Sequence, residues 1–129
     1  VVSKLRTQRI AERIHQELSD LLIRDVSDPR LIGVSVTGAK VDKELAFADV
    51  YISCVDGSER STEIINALNH AQGFLRTELA NRIDLRIFPR LRFHWDPTPE
   101  TADRMERLFA RLRKEREAQT GDIESPGAG

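Results

Sequence analysis

The chain is poor in the residues that build covalent or metal-bound scaffolds. Cys54 is the single cysteine among 129 residues, which excludes an internal disulfide framework and suits a reducing compartment. The three histidines, His15, His70 and His94, are scattered, and none stands near a second cysteine or a carboxylate cluster at ligand spacing. Neither a metal site nor a cofactor is expected. No apolar run approaches the length of a membrane span and no signal-peptide pattern opens the chain, so a cytoplasmic location away from membranes is expected. Walker loops, nucleophile elbows and GXGXXG turns are missing too. Scattered serine, histidine and aspartate do not make a triad, which is defined by geometry, and nothing argues for an enzyme.

Net charge is also nearly absent, at −1. Its distribution is uneven. Residues 31–70 hold three Lys/Arg against six Asp/Glu, whereas residues 71–95 hold five against two. A locally basic segment on a neutral chain is enough to make a phosphate-binding surface.

What is present is periodicity. Ile10, Ile14, Leu18, Leu21 and Leu22 make the apolar stripe of a first helix, about Lys4 to Asp25, stopped by Asp28-Pro29. Val34 and Val36 alternate with Ser35 and Thr37 in a first strand. In a second, about Ala46 to Val55, Ala48, Val50, Ile52 and Cys54 face one way. Ile64, Leu68, Ala71, Leu75 and Leu79 then trace one amphipathic helix to Ile83, broken by Ala71-Gln72-Gly73. Gly73 falls opposite that stripe, flanked by Asn69 and Arg76. It reads either as a simple kink or as a junction that lets a nucleic-acid backbone approach, since glycine has no Cβ to hold one off.

A third strand is expected over Leu85 to Trp95, with Leu85, Ile87, Leu91, Phe93 and Trp95 inward and Arg86, Phe88, Arg90, Arg92 and His94 outward. Pro89 cannot donate to a ladder and suggests an edge or a bulge. Thr98-Pro99 opens a last helix with Met105, Leu108, Phe109 and Leu112 as its stripe. From the end of that helix the pattern stops. We expect one domain over residues 1–117 and an unstructured tail over 118–129. Three strands with one apolar face, covered by helices on that side, make a two-layer α+β fold.

The order helix, strand, strand, helix–break–helix, strand, helix is similar to a type II KH domain. Asp28-Pro29-Arg30-Leu31, Ala48-Asp49-Val50-Tyr51-Ile52-Ser53, Ala67-Leu68-Asn69, Ala71-Gln72-Gly73-Phe74-Leu75-Arg76 and Leu91-Arg92-Phe93 together resemble the bacterial ribosome-binding factor A family, over about Arg6 to Leu112. In that family an alanine–any–glycine junction stands where other KH domains have GXXG, and Ala71-Gln72-Gly73 matches it. The resemblance implies a non-catalytic factor, monomeric when free and without a cofactor. It would bind rRNA of the immature small ribosomal subunit, assist late maturation including rRNA processing, and leave before translation.

Asn69, Gln72, Gly73, Arg76, Arg86, Arg90 and Arg92 are the candidate RNA-binding residues. No acidic residue inside the third strand pairs with its arginines, although an ordinary solvated face would look similar. The alternative is a protein-interaction module presenting Phe47, Tyr51 and Phe88. The last helix reads as a salt-bridged solvent face, with Arg104, Arg107, Arg111 and Lys114 opposite its stripe and acids four residues away.

Overall fold

Ser3 starts the first helix, α1 (Lys4–Arg24), by accepting a hydrogen bond from the Arg6 amide at 3.2 Å. That satisfies one of the donors a helix start leaves free. The structure, a computed structural model, describes residues 2–128, with side chains through residue 120. Ile10, Ile14, Leu18, Leu21 and Leu22 are all buried, as their spacing predicts. A tight 3-10 turn over Pro29–Leu31 follows, capped by the Asp28 carboxylate.

Strands β1 (Val34–Val41) and β2 (Phe47–Cys54) pair antiparallel, and β3 (Arg90–Trp95) pairs parallel to β2, in the order β1-β2-β3. Parallel neighbours need a crossover, which α2 (Ser61–His70) and α3 (Gln72–Arg82) supply. The apolar stripes of α1, α2 and α3 share one core with Ala48, Val50, Ile52, Leu91 and Phe93, so these helices cover a single face of the sheet. The expected α+β order is therefore observed.

β1 is longer than its alternation suggests. Val34 and Val36 pair with Cys54 and Ile52, and the register then slips so that Ala39 and Val41 pair with Val50 and Ala48. Thr37 is the extra residue of this bulge, which returns later apolar positions to the core face. Its hydroxyl donates to the Asp96 carboxylate at 2.6 Å, and the Asp96 amide donates to the Ile52 carbonyl at 2.7 Å.

The third strand needs correcting. Its ladder begins at Arg90, and residues 84–89 are irregular. Pro89 is fully buried and has no N–H to donate, so the alternation restarts after it. Ile87, expected inside, is 73% exposed, while Phe88, expected outside, is 7% exposed. Leu91 and Phe93 are buried as expected, and Trp95 is partly buried against the core.

Only Ala71 separates α2 from α3. Ile64, Leu68, Leu75 and Leu79 are fully buried on either side of it, so the stripe runs through the break. The chain divides into two units after Pro97. The second unit is α4 (Thr98–Ala128). Gly129 lies outside the described residues.

Candidate functional site

Gly73 is the second residue of α3 and is exposed. A Cβ built on it would meet nothing within 4 Å, and its φ is not positive. Neither backbone geometry nor packing requires a glycine here. What it provides is a bare helix start, and no side chain caps α3. Unmasked amides at a helix N-terminus favour a phosphate oxygen.

Asn69 is exposed in the last turn of α2, and Gln72 is half-buried as the first residue of α3. Gly73, Arg76, Thr77, Ala80 and Phe88 line a shallow recess of about 350 Å³. Within it the Arg76 guanidinium donates to the Phe88 carbonyl at 2.6 Å. Its Nε is buried without a partner among the described residues. Arg76 therefore holds the segment before β3 against α3, a role that sequence spacing does not reveal.

The electropositive segment is less free than its composition suggests. Arg82 is shared among Glu17, Asp20 and Asp25 of α1 and its cap, at 3.2, 3.0 and 2.9 Å. Arg92 grips Asp49 of the neighbouring strand through Nε and an Nη at 2.8 and 3.0 Å. The same guanidinium lies 4.1 Å from the centre of the Phe47 ring. That leaves Arg86 and Arg90 as the exposed members with no side-chain partner among the described residues. The acidic partner of Arg92 was invisible in its own strand because it comes from the next one.

Arg76 and Arg92 do not share a surface. Arg90, Arg92 and His94 project from the sheet face away from α1, α2 and α3, in register with Phe47, Asp49 and Tyr51. There His94 Nε2 is 2.7 Å from Asp49, and the rings of His94 and Tyr51 stand 5.4 Å apart. Partial burial pushes the Asp49 carboxyl up, but the hydrogen bonds from Arg92 and His94 outweigh it and leave the group below the usual carboxylate range. Burial of Phe88 removes it from the proposed protein-binding trio, and Arg92 already occupies one face of Phe47.

A residue pair beside the break was not among the candidates. Asp28 clamps the Arg30 guanidinium through both carboxylate oxygens, at 2.7 to 3.2 Å. Those bonds hold the Asp28 carboxyl below its ordinary value, and the charge of His70, the last residue of α2, adds to the effect. Arg30 is thus a half-exposed, oriented cation on the turn that packs against α2. The motif Asp28-Pro29-Arg30 was the available signal.

Along α4, Arg104 pairs with Glu100 and Arg107 with Asp103, each at 2.8 Å, as the four-residue spacing predicts. No group of three or more His, Cys, Asp or Glu among the described residues is placed to hold a metal ion. No described helix is long and apolar enough to cross a membrane.

A family profile described as Ribosome-binding factor A matches residues 6–109, from α1 into α4. The chain is similar to a ribosome-binding factor A of Chromohalobacter salexigens, with 43% identity over 106 residues, 81% of each chain. Among solved structures it resembles the crystal structure of ribosome-binding factor A from Thermus thermophilus, with TM-score 0.62 and 25% identity, covering 68% of this chain and 93% of that one. It also resembles a Thermus thermophilus ribosome binding factor A homology model fitted into a cryo-EM map of its 30S complex. There the TM-score is 0.54 and identity 26%, over 64% of this chain and 87% of that one. The match spans the break at Ala71, the bare Gly73 and all three strands, and the chain belongs to the ribosome-binding factor A family.

Proposed function

We propose that this chain binds rRNA of the immature small ribosomal subunit and assists its late maturation, including rRNA processing, without catalysing a reaction. The observation that carries this reading is the uncapped start of α3 at Gly73, within a chain of this family. The relative fitted into a 30S complex supports the same partner. Phosphate approaches the first amides of α3, with Arg30 and His70 on the α2 side of the break and Asn69 and Gln72 flanking it. Arg86 and Arg90 supply exposed cations, and Arg76 sets the recess wall. The protein acts as a cytoplasmic monomer by differential affinity: it favours the immature rRNA arrangement and is released when the mature one forms.

The test is a binding titration with immature and mature small subunits over a range of salt. Binding should be tighter to immature particles and should weaken steeply as salt rises. Gly73→Asp places a carboxylate where phosphate approaches and should weaken binding at least tenfold while the protein stays folded. Equal binding of the variant and the original protein would reduce the break to a structural kink.

A further inference from the structure

We infer that the sheet face turned away from α1, α2 and α3 is a second RNA contact, where an unpaired base stacks on Tyr51 and His94 beside Gly38. The inference rests on the RNA-binding reading above and adds a site on the opposite face of the domain.

Three residues form one row across the strands: Gly38 of β1, Tyr51 of β2 and His94 of β3. Tyr51 has a second ring on one flank, 5.4 Å away and tilted by 30°. On its other flank stands a residue with no side chain. A glycine inside a strand weakens it and often marks the approach of a ligand or another backbone. Gly38 has no positive φ to justify it, and a Cβ there would sit 4.0 Å from the Tyr51 ring, an ordinary contact. The fold would accept a side chain at this position. Its lack of one leaves the Cδ2 edge of the Tyr51 ring uncovered on that flank.

The surrounding charge favours RNA as the occupant. Lys40, one row from Tyr51, and Arg90, two rows away on the same face, are exposed and have no side-chain partner among the described residues. Asp49, held by Arg92 and His94, is the acid among the strand residues of this face, and just past β3 the Asp96 carboxylate accepts from the hydroxyl of Thr37, the neighbour of Gly38. The ring pair, with His94 exposed and Tyr51 partly buried, and the free Lys40 one row away suit a base with its phosphate, since aromatics on a sheet stack bases and cations track the backbone. Aliphatic anchors of the kind a protein partner would use are missing from the row.

The experiment titrates a short single-stranded oligoadenylate, and separately immature small subunits, into the original protein and four variants: Tyr51→Ala, Tyr51→Phe, Gly38→Val and Gly73→Asp. Loss of one stacked base weakens binding about tenfold, so Tyr51→Ala should show that loss while Tyr51→Phe, which keeps the ring, binds as the original does. Gly38→Val covers that flank of Tyr51 with a residue that strands favour, so it should weaken oligoadenylate binding while the melting temperature holds or rises. Amide shifts in the NMR spectrum at Gly38, Tyr51 and His94 on adding oligoadenylate give a readout independent of any variant. Normal binding by Tyr51→Ala and Gly38→Val, with binding lost in Gly73→Asp, would overturn this inference and leave the first reading standing. Failure of the original protein to bind rRNA at all would overturn both. If Tyr51→Ala weakens subunit binding but oligoadenylate shifts no amide on this face, the face meets a ribosomal protein and the RNA assignment is wrong.

Discussion

Arg76 and Phe88 are joined by a hydrogen bond of 2.6 Å, from a guanidinium on α3 to a main-chain carbonyl just ahead of β3. The bond crosses from the helix layer to the segment where the sheet's last strand begins. It gives the carbonyl of the buried residue Phe88 a partner just ahead of the β3 ladder.

Removing that donor should destabilise the domain. Arg76→Leu is expected to cost about 1–3 kcal/mol, the penalty for leaving a buried polar group unsatisfied. Urea denaturation measures it, and a loss well under that range would show that solvent reaches the Phe88 carbonyl.

Gly73 should behave in the opposite way. Its helical backbone and open surroundings mean that Gly73→Ala holds or raises stability, by up to about 1 kcal/mol from helix propensity. Gly73→Asp gains further from a negative charge in the first turn of α3. Thermal melts check both. Substantial unfolding of either variant would make Gly73 a structural requirement and end its use as a clean probe of binding.

The reset of alternation at Pro89 can be tested by two adjacent residues. Phe88→Ala should cost about 3–5 kcal/mol, as for other buried aromatics, and Phe93→Ala about the same. Ile87→Ser should stay within about 0.5 kcal/mol because its side chain is solvated. Reversed costs for Ile87 and Phe88 would restore a continuous strand from Leu85.

Acid should weaken the domain through Asp28 and Asp49. Both carboxyls sit below the ordinary value of 3.8 in the folded protein, so across that window the unfolded chain binds more protons. Stability from these groups is complete above the ordinary value and falls away as pH drops below it. Asp49→Asn should make the acid limb of a melting-temperature profile shallower. An unchanged limb would mean that the contacts with Arg92 and His94 do not persist in solution.

The elements legible in the sequence were those whose signal is local. The stripe from Ile10 to Leu22, the alternation from Ala48 to Cys54 and the stripe through Ala71 each report their own burial, and the structure agrees. Features that depend on a distant partner were hidden. Nothing near Thr37 announces a bulge, because its reason lies in the register with β2 and in Asp96. Arg92 looked unpaired because Asp49 lies on another strand, and the ties from Arg82 to α1 and its cap had no local signal. Arg30 was visible as a motif, but its place beside α2 depends on how the 3-10 turn packs.

The mixed pairing of the sheet also has a consequence for how the chain finds its fold. β1 and β2 meet through a short turn, so their hairpin closes at little entropic cost. β3 reaches β2 only after the whole of α2 and α3 has been laid across the gap, and such non-local pairing is slow. We therefore expect the hairpin with α1 to form early and β3 to dock last. Mutations at Val36 and Ile52 should slow folding, whereas those at Leu91 should mainly speed unfolding. On that order, the Arg76–Phe88 bond closes in the final step, and the recess beside Gly73 exists only once the polypeptide is complete through β3.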